Sequence, residues 1–156
     1  MRLRRTLTAL FALLLLCLTL PARKTDDGKD DVVVLVKAKS AMLLDQDGQS
    51  FRKVIGPARF LHNNTYLLCD SALWNVQTNI INAYGHVRII QDRTQLSSET
   101  LEYVVDEDLA KFRGSLVQLE DKDKNTLRTR YLDYNTRDSV AIFEGGASMR
   151  DKDGQI

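Results

Sequence analysis

The chain has 156 residues, enough for one domain and little more. With 44% hydrophobic and 28% charged residues and a formal charge of +1, it is not a disordered chain, and it lacks the basic stripe of a nucleic-acid binder. Two Cys and two His exclude a disulfide framework and argue against a zinc site, while 2 Pro and 8 Gly exclude a collagen-like or linker chain.

The first element is a targeting segment. Arg2, Arg4 and Arg5 precede an almost wholly apolar run of 14 residues, Leu7 to Leu20, which ends at Pro21-Ala22. This three-part pattern predicts a signal peptide over residues 1–22 and export from the cytoplasm. The run is shorter than the roughly 18–20 residues that span a bilayer; an uncleaved anchor is the alternative. Leu16 before Cys17 is too large for lipoprotein processing, so Cys17 reads as apolar filling. Residues 23–31 form a polar linker. Beyond the signal, 19 basic residues face 21 acidic ones, and the charge becomes −2. Cys69 is then the single thiol, so the fold rests on packing without an internal disulfide.

From residue 32 to 156 the chain repeats one motif. Leu67, Cys69, Ala72, Trp74, Ile81, Ala83 and Gly85 recur without a gap as Leu96, Ser98, Leu101, Tyr103, Ala110, Phe112 and Gly114. They recur again as Leu127, Thr129, Leu132, Tyr134, Ala141, Phe143 and Gly145. A weaker copy runs from Ala38 to Gly56. The units begin at 38, 67, 96 and 127, a period of about 30 residues. Each unit reads as two strands and a hairpin. Ala110, Phe112 and Gly114 alternate on one face, whereas Leu101 and Tyr103 fall out of phase with Leu96 and Ser98. The phase change predicts a bulge or kink near Ser98–Leu101. Turns are expected at 75–79, 92–93, 106–108, 121–125 and 135–139. Each repeated Gly is expected where a strand bends from one sheet layer to the other. Pro57 places the first unit at or near a sheet edge. The fold class is all-β, a stack of units that bury a common core.

These residues resemble the OstA-like (LptA-like) family, the β-domain of periplasmic lipopolysaccharide-transport proteins. The resemblance is carried by Cys69-Asp70-Ser71-Ala72, by Ala83-Tyr84-Gly85-His86-Val87, by Leu127, Thr129, Leu132, Asp133 and Tyr134, and by Gly145-Gly146. It covers residues 32–156. It implies a folded-over antiparallel sheet, a β-jellyroll or taco, whose apolar interior takes the acyl chains of lipid A. It also implies edge-to-edge pairing with other OstA-like transport proteins, in a bridge that reaches the outer membrane; a homo-oligomer is a further expected assembly. The family brings no catalytic residue, and no cofactor or metal is expected. Mapped by strand phase, the lipid-binding, groove-facing positions are Leu67, Cys69, Ile81, Ala83, Val87, Ile89, Leu96, Ala110, Phe112, Leu127, Ala141, Phe143 and Met149. Ordinary core packing is the competing role for each. Lipid phosphates would meet cations at the groove mouth, with Arg88, Arg93, Arg128 and Arg130 as candidates. Ile156 falls where another unit would begin, so either the chain continues or its last strand is an unpaired edge.

Nothing points to an enzyme. Asp45-Gln46-Asp47-Gly48 and Asp151-Lys152-Asp153-Gly154 lack the Gly and Glu spacing of a calcium loop and read as hairpin turns. His62 and His86 read as surface or strand histidines, and Asp106-Glu107-Asp108 as a solvated turn. No base is proposed for Cys69, and no phosphate loop is present. Without a nucleotide motif such a module shields and passes lipid passively. The rival readings are a lipid-free structural β-solenoid that scaffolds partners through its edges, and a carbohydrate-binding domain. The latter is disfavoured because Trp74, Tyr103 and Tyr134 sit at repeat-fixed positions.

Overall fold

A computed structural model of the chain describes residues 32–154. The expected signal segment, the linker 23–31 and Ile156 lie outside the described residues. Ten strands form one sheet: β1 (Val34–Lys37), β2 (Ser40–Gln46), β3 (Gln49–His62), β4 (Thr65–Asn75), β5 (Ile80–Gln91), β6 (Thr94–Val104), β7 (Leu109–Glu120), β8 (Thr126–Asn135), β9 (Val140–Glu144) and β10 (Ser148–Arg150). A 3-10 turn, Val105–Glu107, joins β6 to β7. From β3 to β8 each strand pairs antiparallel with the next. β1 and β2 both line the free side of β3, and β9 and β10 both line β8.

The turns follow from their residues. Asp47 and Gly48 both have positive φ, 51° and 74°, which a two-residue hairpin of the right twist requires. Asn75 and Asn135 begin the same turn in two repeats. The Asn75 side-chain oxygen accepts the N–H groups of Gln77 and Thr78, and that of Asn135 accepts those of Arg137 and Asp138.

Each long strand is interrupted once. Pairing skips from Ile55 to Ala58 in β3, from Leu68 to Ser71 between β4 and β5, and from Tyr84 to Val87 in β5. It skips again between Ser97 and Thr100 in β6, and between Arg113 and Val117 in β7. The breaks line up across the sheet into a crease, and Gly56, Gly85 and Gly114 stand in it. Gly145 stands in the gap between β9 and β10. The repeated glycine therefore marks the bend, as its period predicts.

The crease folds the sheet into two layers. The first holds the strand halves that end at turns 63–64, 92–93 and 121–125. The second holds the halves that end at turns 47–48, 76–79, 105–108 and 136–139. Both inner faces contribute to one core. Because an extra residue at each break inverts the side-chain phase, Leu96 and Leu101 both point inward although they are five positions apart.

Candidate functional site

The inward faces of the two layers form the candidate site. Ten of the expected positions, from Leu67 to Leu127, lie in the buried core. Ala141 is partly buried against it. Phe143 pairs with Leu132 and Met149 with Leu127, so both keep the inward phase. They are nevertheless 42% and 54% exposed, because the sheet ends there and nothing covers them among the described residues. The opposite edge is similar: Leu43 pairs with Arg52 on the inward row yet is 79% exposed. The Arg52 guanidinium lies 4.7 Å over the Trp74 ring and caps that end of the core. Strand phase alone misses Val54, Phe60, Leu101, Leu132 and Tyr134, which also point inward. Their signal was the phase change at each break, which transfers the inward face to the other residues of the strand.

At its centre the interior is closed. Ile81, Ala83, Val87, Ile89, Leu96, Ala110, Phe112, Val117 and Leu132 are all 0% exposed. Their burial sets the two layers side chain to side chain at the centre of the described sheet. Cys69 lies in this core. Burial, helped by the Asp70 charge, pushes its thiol up to about 11, which makes it an inert apolar filler at neutral pH.

Opposite the crease, the free lips of the layers meet in a buried polar seam. His62 of the first layer stands 2.6 Å from the Tyr103 hydroxyl and 3.7 Å from the Asp108 carboxylate, both of the second. Gln91 donates to the Thr136 carbonyl at 2.6 Å and accepts from the Tyr134 hydroxyl at 2.8 Å. Asp108 also takes Arg137 at 2.6 Å. No buried side-chain polar atom among the described residues lacks a partner. One expectation is corrected here: Asp108 is not part of a solvated turn, being only 3% exposed while Asp106 and Glu107 are exposed. His62, the last residue of β3, is the strand histidine of the two alternatives and is buried, not at the surface. Asp108 is drawn in because φ of 53° at the end of the 3-10 turn points it back at the seam. A satisfied polar seam differs physically from an apolar one. Parting it exchanges hydrogen bonds for water, at a net of about 0.5–1.5 kcal/mol each.

On the outside of the crease, acids close over the glycines. Asp70 pairs with His86 at 2.7 Å. Glu99 accepts from the Ser115 hydroxyl at 2.6 Å and from its N–H at 3.3 Å, which holds the Glu99 carboxyl below the usual range. Of the cations expected at the groove mouth, Arg88 and Arg128 stand on the outer face of the first layer, Arg130 in the crease and Arg93 in a turn. Arg88 and Arg128 alternate with buried Val87, Ile89, Leu127 and Thr129, which turns them away from the interior.

No curated protein sequence matches the chain. Thirteen chains of solved structures do match in fold. One is the crystal structure of LptH, the LptA-homologous periplasmic component of the lipopolysaccharide transport device of Pseudomonas aeruginosa. The likeness has a TM-score of 0.64 at 15% identity and covers 76% of this chain and 94% of that one. The two proteins share a fold, the curled antiparallel sheet that the family resemblance implies. The family profile described as OstA-like protein matches residues 29–156, and the chain belongs to the OstA-like family.

Proposed function

We propose that this protein is a periplasmic, non-enzymatic lipid-binding module of lipopolysaccharide transport, which shields acyl chains between its two layers and passes them to OstA-like partners through its sheet edges. One observation carries the reading: an apolar interior whose inward row runs to the sheet edge and leaves Phe143 and Met149 uncovered. Membership of the OstA-like family and the fold shared with a periplasmic transport component support it. An acyl chain of a dozen carbons gains about 10 kcal/mol on leaving water, at about 0.8 kcal/mol per CH₂. Such a chain needs cover on any aqueous route. The closed centre means that lipid enters by parting the layers, and the polar seam is the boundary whose groups water satisfies when it opens. A nonpolar interior only matches the membrane it draws from, so the module conducts lipid and does not pump it.

The packed centre also favours a second reading, a lipid-free scaffold that assembles by its edges. Native mass spectrometry separates the two. The lipid module forms a one-to-one complex with lipopolysaccharide, weakened at least tenfold by Phe143→Asp, an exposed change that spares the core. Free protein together with edge-dependent oligomers would select the scaffold.

A further inference from the structure

The outer faces of the two layers differ in charge. On the first layer one cross-strand row runs unbroken through every pairing and carries Lys37, Arg59, Arg88 and Arg128. The neighbouring row ends at Arg150. All five cations are exposed, and none makes an ion pair with a described residue. The one carboxylate in those two rows, Glu120, is taken by Lys124 at 2.6 Å. The second layer's outer face is different: Lys111 is paired with Glu102 and Arg113 with Asp133, both at 2.7 Å.

The row beside the cations is apolar at its β1 end, with Val34, Leu61, Tyr66 and Ile90 side by side. Arg59 lies 5.8 Å over the Tyr66 ring. With strands about 4.8 Å apart, Arg59 and Arg88 stand roughly 10 Å apart and Arg88 and Arg128 roughly 14 Å. Charges spread this way along a sheet do not converge on one phosphate. They match a surface of many separated negative charges, and the adjoining Tyr and aliphatic row suits the headgroup boundary of a bilayer.

We propose that the outer face of the first layer docks on an anionic lipid bilayer, leaving the seam free at the lip beside it. The proposal concerns the outside of the sheet and stands whether or not lipid enters between the layers.

The test is flotation of the full chain with vesicles of phosphatidylcholine alone and of phosphatidylcholine mixed with phosphatidylglycerol. The full chain binds the mixed vesicles, and added salt weakens that binding. Replacing Arg59, Arg88 and Arg128 together by Ser lowers it about a hundredfold, since each cation near an anionic surface contributes of order tenfold or slightly less. A charge-matched control on the second layer's outer face, Lys53→Ser with Lys111→Ser and Arg113→Ser, changes binding less than about threefold on the same reasoning. Circular dichroism checks that both variants keep the β fold. Equal flotation of the Arg triple variant, or an equal loss in the control, overturns the proposal. So does retention on polyglutamate without flotation, which would assign the face to an acidic protein.

Discussion

A Cβ at Gly85 would run into the Asp70 side chain, and φ at Gly85 is +73°. Gly56 has a different reason: a Cβ there would come 2.5 Å from the Asp70 carbonyl and from the Ala58 nitrogen. The repeated glycine thus serves one crease by two local routes. Gly85→Ala therefore costs about 1–3 kcal/mol, read as a fall in thermal midpoint, because it combines a strained φ with displacement of the Asp70–His86 pair. The Glu99–Ser115 contact gives a second prediction. The Glu99 carboxyl is held low in the folded state, so its contribution is present above the unfolded carboxylate range and is lost as pH falls through the lowered value. Ser115→Ala removes the hydroxyl donor, and NMR titration then finds Glu99 closer to an ordinary carboxylate. An unchanged titration would show that the contact is not formed.

Strands, turns and bends were legible in the sequence because they repeat. Leu96, Leu127 and their equivalents fix a phase, and Leu101 and Tyr103 announce its inversion. The turns at 92–93 and 121–125 carry the polar residues that chain reversal favours. The seam was not legible, because it is a property of layers and not of repeats. His62 and Gln91 close strands β3 and β5, and Asp108 and Thr136 lie in two separate turns, so nothing in the sequence joins them until the fold brings the lips together. Tyr134→Phe leaves the Gln91 side-chain oxygen without its 2.8 Å donor. It should cost about 1–3 kcal/mol of stability and speed the reaction of buried Cys69 with a thiol reagent, since Cys69 reacts only when the layers part. Loss of stability without faster labelling would separate the seam from layer opening.

At the scale of the molecule, three surfaces have distinct chemistry: a closed apolar interior, two edges with uncovered inward residues, and one cationic outer face. Composition anticipated none of the charge asymmetry, because acidic residues elsewhere, such as Asp47, Asp92, Asp106 and Glu107 in turns, offset the unpaired cations of the first layer in the total. The expected cations Arg88 and Arg128 were identifiable as basic residues, but their side of the sheet followed only from strand phase around the breaks. The interior is the feature on which the transport reading depends. It is tested most directly by placing the photo-crosslinker p-benzoylphenylalanine at inward positions 112 and 143 and at outward positions 84 and 131, then irradiating with lipopolysaccharide. Adducts at 112 and 143, with none at 84 and 131, are the expected result; adducts confined to the outward positions, or equal on both faces, would contradict lipid held between the layers.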